Sequence, residues 1–237
     1  MKKFLMSSVA AVAFAGSASA ADLPYKAAPI TAATWTGVYV NLGAGYGMWT
    51  ADTTGIGGAP ALPLTTVQGG RGWTARFGIG YDYQFAPSFV AGIFADYDAS
   101  RIKGSIQDQQ PFAVADATQN YSWAVGARLG YLITPQILSY FNGGYSSAHF
   151  TTGTAMINAG GAAPFTYNSN TFSGWFIGGG AEIMFQPGWY WRNEYRVASY
   201  GTKNFVPSST VAGQNTITFK PYVQTATTSI VWKFSSR

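Results

Sequence analysis

His149 is the only histidine in the chain, and Ser146 and Ser147 lie within three residues of it. A serine activated by an imidazole, itself oriented by a carboxylate, is the arrangement of a hydrolase. Glu182 and Glu194 are the only glutamates that could serve it, and the strand pattern described below puts one of them near the end opposite His149. The expectation is therefore no catalytic set, with His149 as a rim residue. His149 and the tyrosines are also possible axial ligands for haem, which makes His149 the one haem-binding candidate. Gly43-Ala44-Gly45-Tyr46-Gly47 and Gly178-Gly179-Gly180 resemble nucleotide-binding glycines, but neither opens a helix within a βαβ unit. They read as strand glycines that relieve crowding. The chain has no cysteine, which excludes disulfides, thiol catalysis and cysteine-held zinc. No cofactor or metal is expected.

The elements that would carry these residues are set by composition and alternation. Aromatic residues make up 16% of the chain and charged residues only 10%, against about 25% charged in soluble domains. The chain is too poor in charge for a water-facing surface, and after Ala20 it has no uncharged apolar run of about 18 residues that could form a membrane helix. Eight segments instead alternate with period two: residues 34–49, 72–83, 89–100, 121–131, 137–150, 172–185, 189–200 and 222–234. In the second, Trp73, Ala75, Phe77, Ile79, Tyr81 and Tyr83 share one face, while Thr74, Arg76, Gly78, Gly80 and Asp82 share the other. The links 84–88, 132–136 and 186–188 are short and contain proline. Those at 50–71, 101–120, 151–171 and 201–221 are long, and loops of about 20 residues count against a secreted β-sandwich. The pattern predicts an all-β fold, an eight-stranded antiparallel up-and-down transmembrane β-barrel, with both termini periplasmic. The tryptophans near strand ends, Trp35, Trp73, Trp123, Trp175, Trp189 and Trp191, read as interfacial girdles in preference to a carbohydrate-binding surface.

Sidedness then predicts an interior. In the seventh segment Arg192, Glu194 and Arg196 share a face opposite Asn193, and an Arg at the lipid midplane costs about 2–4 kcal/mol, so those three charges are predicted inward. Partner numbers in a hairpin sum to a constant. Centring the first short turn on Ala86 sets Arg76 opposite Asp96, Phe77 opposite Ala95, Ile79 opposite Ile93 and Tyr83 opposite Phe89. Centring the third on Pro187 sets Glu182 opposite Arg192, with Arg128 and Lys233 near that level. The expected lumenal network is Arg76, Asp96, Arg128, Glu182, Arg192, Glu194, Arg196 and Lys233, with the Arg76–Asp96 and Glu182–Arg192 pairs closing the barrel to solutes.

Met1-Lys2-Lys3, an apolar run from Phe4 to Phe14 and Ala18-Ser19-Ala20 read as a cleaved signal peptide of residues 1–20. Residues 21–33 are expected to be a flexible periplasmic segment, 34–234 the barrel and 235–237 a short tail. The formal charge of +5 falls to +3 once Lys2 and Lys3 leave. The remaining Lys and Arg are scattered singly, which argues against nucleic acid.

Ala21-Asp22-Leu23-Pro24, Trp35-Thr36-Gly37-Val38-Tyr39-Val40 and Asn193-Glu194-Tyr195-Arg196, in that order and spacing, resemble the alphaproteobacterial outer-membrane immunogenic proteins, within the OmpA-like small barrels. The resemblance implies an eight-stranded barrel, surface-exposed antigenic loops and roles in envelope integrity, with haemin binding attributed to some members. It departs at the end, where Ser235-Ser236-Arg237 follow the alternating Ile230, Trp232 and Phe234 that the barrel-assembly machinery would read. The expected function is that of a structural, non-enzymatic surface protein. Haemin or small-ligand capture by the loops and lipid hydrolysis are the alternatives. The expected partners are outer-membrane lipid, lipopolysaccharide and the assembly machinery, while the oligomeric state is not readable from the sequence.

Overall fold

The computed structural model describes residues 34–56, 65–107, 113–157, 165–208 and 216–234. The expected signal peptide, the 21–33 segment and the 235–237 tail lie outside them. Eight long strands form the fold: β1 (Gly37–Ile56), β2 (Thr65–Ala86), β3 (Phe89–Gln107), β4 (Ala113–Thr134), β5 (Ile137–Thr152), β6 (Asn170–Gln186), β7 (Trp189–Tyr200) and β8 (Thr216–Phe234). Each pairs antiparallel with its neighbours in sequence, and β1 also pairs with β8 from Val38↔Phe234 to Ile56↔Thr216. The ring is closed, so no long strand is left with a free edge. Three short strands, Thr154–Ile157, Phe165–Thr166 and Lys203–Phe205, add to the end where the strands run longest.

The register fixes the barrel's shape. Stepping between facing residues from Val38 leads through Tyr81, Ile93, Ala127, Gly143, Ile177, Val197 and Gln224, and returns to β1 at Met48, ten residues on from the start. Such a stagger over eight strands tilts them by about 40° and leaves an interior that side chains fill.

All three short connections repeat one device. Pro87-Ser88, Pro135-Gln136 and Pro187-Gly188 occupy the two turn positions, with proline first, where its fixed φ suits the turn. Phe85, Ile133 and Phe185 are skipped by the pairing just before each turn, as single-residue bulges, and all three point outward. The turns are also stitched to one another, because the carbonyls of Ser88, Gln136 and Gly188 accept from the backbone N–H groups of Leu132, Met184 and Lys233 at 2.8, 2.9 and 2.8 Å.

This device corrects the expected register of the first hairpin. The turn is centred on Pro87, so Arg76 faces Asp98, Phe77 faces Tyr97, Ile79 faces Ala95 and Tyr83 faces Ala91. Asp96 faces Gly78 instead of Arg76. Moving the centre by one residue changes each partner by two positions, so every side chain keeps its face while every pair changes.

Two further expectations are corrected. The strands run past the expected boundaries, so that much of 50–71 and 101–120 is paired, as in Asp52↔Val67 and Lys103↔Thr118. Threonine and glycine there suggested loops, yet alternation continues inward through Trp49, Ala51, Ile102 and Ile106, all buried. Trp35 is not a girdle residue. It precedes β1 and is fully buried at the turn end of the barrel, where its Nε1–H donates to the Pro135 carbonyl at 3.2 Å and its backbone N–H to Gln84 Oε1 at 3.1 Å. Trp73, Trp123, Trp175, Trp189 and Trp191 do face outward.

Candidate functional site

The interior is built in three layers. At the turn end the Trp35 ring packs on Tyr190 with centroids 4.7 Å apart, and Lys233 Nζ lies 4.5 Å from the Trp35 centroid and 4.8 Å from that of Tyr190. At the opposite end Trp49, Phe150, Phe172, Phe205 and Phe219 are all fully buried and meet at centroid distances of 5.1 to 6.1 Å. Between them lie ten ionisable side chains, five basic and five acidic.

The ten form two connected clusters. In the lower one Arg128 holds Asp82 through two hydrogen bonds, Nε to Oδ1 at 2.9 Å and Nη2 to Oδ2 at 2.5 Å, and also bonds Glu182. Arg192 reaches Glu182 at 2.6 Å and Lys233 reaches Asp82 at 2.6 Å. The Tyr39 ring lies beside the two guanidinium groups, its centroid 4.7 Å from each. In the upper cluster Arg76 grips Asp98 at 2.7 and 3.0 Å and Glu194 at 2.6 Å. Arg196 bonds Asp96 at 2.8 Å and lies 2.8 Å from Glu194, with its guanidinium 4.3 Å from the Phe176 centroid. Tyr140 and Asn142 donate to the other oxygen of Glu194 at 3.0 and 2.6 Å. Five cations thus meet five carboxylates, and the interior is formally neutral. Bidentate arginine–carboxylate contacts are among the stronger ion pairs, and burial makes each member depend on its partner.

All eight residues expected in the lumen are there. Glu182 pairs with Arg192, and Arg128 and Lys233 join them, whereas Arg76 and Asp96 take different partners, Asp98 and Arg196. Asp82 and Asp98 were not expected in the network. Their signal was parity alone: Asp82 shares the face of Arg76, and Asp98 that of Asp96. The cavity also needs its glycines at particular points. A Cβ on Gly78 would come within 2.2 Å of Asp96 Oδ1 and 2.4 Å of Asn41 Nδ2, and one on Gly92 within 2.3 Å of Asp82 Oδ1.

The residues considered for hydrolysis are separated. Ser146 points inward, where it shares a 3.0 Å hydrogen bond with the Tyr200 hydroxyl. His149 points outward, stacked on Tyr121 at 5.0 Å and hydrogen-bonded through Nδ1 to Thr171 Oγ1 at 2.9 Å. Glu182 and Glu194 are inside, across the sheet from that imidazole. Ser147 shares the face of His149, but the sheet keeps both glutamates from it. No group of metal-ligating side chains occurs among the described residues.

Outward lie Leu42, Phe77, Ile79, Ile93, Leu129, Phe141 and Ile177, of which Phe141 is 80% exposed. Above and below them run aromatic bands, including Trp73, Trp123 and Trp175 at one level and Tyr83, Tyr131, Trp189 and Trp232 at the other. A closed antiparallel ring with an apolar waist, aromatic edges and an ionic interior is a β-barrel of the bacterial outer membrane. The chain belongs to the outer membrane protein beta-barrel domain family, whose model matches residues 8–234. It is 29% identical over 226 residues to the 31 kDa outer-membrane immunogenic protein of Brucella melitensis biotype 1, covering 87% of this chain and 90% of the relative. With the 25 kDa outer-membrane immunogenic protein of Brucella abortus biovar 1 it shares 26% identity over 212 residues, 86% of this chain and 87% of the relative. Among solved structures, the outer membrane protein OprG from Pseudomonas aeruginosa superposes with a TM-score of 0.53 at 11% identity, over 85% of this chain and 97% of that one. The outer membrane protease OmpT from Escherichia coli gives 0.51 at 10% identity, over 84% and 97%. At these identities the likeness to OprG and OmpT is one of fold alone.

Proposed function

We propose that this protein is a non-enzymatic structural barrel that does not conduct solutes, contributes to envelope integrity and presents its long connections as surface antigens, with both termini in the periplasm. The observation that carries this reading is the filled interior, a neutral network of ten charges between two aromatic layers. A solute would have to break bidentate ion pairs and displace fully buried rings to pass. The separation of Ser146 and the glutamates from His149 supports the absence of lipid hydrolysis, and the outward alternation of Ile230, Trp232 and Phe234 suits recognition by the assembly machinery. Purified protein in planar bilayers tests it. The expected result is a baseline current, and open-porin conductance overturns the reading. Protease treatment of intact cells tests the orientation: cleavage is expected within the long connections and not at the proline turns.

A further inference from the structure

The charges outside the lumen are unevenly placed. Among the described residues they are Arg71, Arg101, Lys103, Lys203, Lys220, Asp52 and Asp116, and all lie at the end away from the proline turns. Three of the cations sit on two adjacent strands. Arg71 of β2 faces Lys103 of β3 directly, and Arg101 faces Trp73 one row below. All three side chains point outward and are exposed. Like charges directly opposed across a sheet repel, and no hydrogen bond or ion pair to a described residue relieves them. Asp52 does not compensate, because it faces Lys220 on the other side of β1. Asp116 faces Ser105 and lies diagonally beyond Lys103 without pairing with it.

Depth identifies what these cations meet. Trp73, with Tyr121, belongs to the aromatic band that marks the membrane interface, and Arg71 and Lys103 stand one row above Trp73. One row is two residues of a tilted strand, about 5 Å along the barrel axis. Below the cations the same face continues as Ala75 opposite Ala99, Phe77 opposite Tyr97 and Ile79 opposite Ala95, a surface suited to acyl chains. Cations at headgroup depth above an acyl-contacting face fit an amphiphile that carries phosphate close to its acyl chains.

We propose that Arg71, Arg101 and Lys103 form a binding site for the phosphorylated, acylated glycolipid of the outer leaflet, with its phosphates on the three cations and its acyl chains along Trp73, Phe77 and Tyr97. Arginine presents paired donors that match phosphate oxygens, and lysine adds a point charge. The site rests on the orientation proposed above, which places this end in the outer leaflet.

The test compares the wild type with R71Q/R101Q/K103Q, both in detergent micelles and both shown to be folded by altered gel mobility before boiling. Binding is read by native mass spectrometry with bis-phosphorylated lipid A, the same glycolipid with its phosphates removed, phosphatidylglycerol and inorganic phosphate. The wild type is expected to bind bis-phosphorylated lipid A at least roughly tenfold more tightly than the triple variant, and to prefer it over the dephosphorylated form and phosphatidylglycerol. Inorganic phosphate at the same concentration is expected not to compete, and K220Q to bind as the wild type does. Equal affinity of wild type and triple variant overturns the proposal. So does a wild-type preference for phosphatidylglycerol, which would mark a general anionic surface, or displacement by inorganic phosphate, which would mark a site for the free ion. If the triple variant does not fold, K103Q and R101Q singly give the same comparison with a smaller expected loss. Labelling of Lys103→Cys on intact cells separates the two readings: absence of surface labelling would overturn the orientation and with it the site in the cell, whereas surface labelling with equal lipid A affinity of wild type and triple variant would overturn the site alone.

Discussion

A substitution in this barrel takes its sign from the face it falls on. Asn193 points outward near mid-depth, between Ala181 and Thr228 on the neighbouring strands, and its amide bonds no described residue. Asn193→Leu removes a polar group from hydrocarbon, so it is expected to raise stability by about 1 kcal/mol, read as a higher urea midpoint of the barrel in lipid vesicles. A lower midpoint would show that the amide has a partner in the bilayer. Inside, the sign reverses. Arg128→Met takes one cation from Asp82 and from Glu182, leaving Lys233 and Arg192 to face two under-compensated buried carboxylates, and is expected to cost about 3 kcal/mol, while adding Asp82→Asn to it should cost less than the sum of the two single changes. Full additivity would mean that the two groups do not interact. The inward set was legible at this scale because charge and parity agree: Arg192, Glu194 and Arg196 could not all face lipid. The identity of partners was not, because Arg76 meets Asp98 and Glu194 through a turn centre and a cross-barrel contact that alternation does not encode. Trp35 is ambiguous for a related reason, since a tryptophan near a strand end looks the same in sequence whether it faces lipid or crosses the mouth of the barrel.

At the scale of elements, proline and alternation carried different amounts of information. The three proline turns were visible as turns, yet their common construction, proline first with a bulged apolar residue two positions before it, emerges only when they are laid side by side. Applied uniformly, the centring on Pro187 that gave Glu182 opposite Arg192 would also have given Arg76 opposite Asp98. The upper strand ends were hidden by composition, because glycine and threonine suit loops as well as strands packed around aromatic rings. Gly70 shows the constraint: a Cβ there would come within 2.4 Å of Trp49 Nε1, so the position is small because a ring fills the space. Amide hydrogen exchange is expected to show protection through the paired segments that contain Asp52, Gln68, Lys103 and Thr118, slower than an unstructured chain by at least roughly a hundredfold. Exchange at the free-chain rate would return these segments to the loops that their composition suggests.

Taken as a whole molecule, the barrel closes its interior in series, and this determines what a single change can do to permeation. The Trp35–Tyr190 layer, the ten charges and the cluster around Phe219 are stacked along one axis, so removing one layer leaves two in place. Arg76→Ala is expected to loosen the upper ion cluster by releasing Asp98 and one of the contacts to Glu194. Glu194 keeps Arg196, Tyr140 and Asn142, and Trp49, Phe150, Phe172 and Phe219 still fill the section above. The variant should therefore be less stable than the wild type, with a lower urea midpoint, yet show the same baseline current in planar bilayers. Phe219→Ala should likewise lower stability, since it empties the centre of five packed rings, at a cost of about 3–5 kcal/mol, again without opening a path, because the ionic layers beneath remain. Stability and closure are thus expected to separate experimentally. If either single variant, folded by its gel mobility before boiling, conducted like an open porin, closure would depend on one constriction and the series arrangement would be wrong.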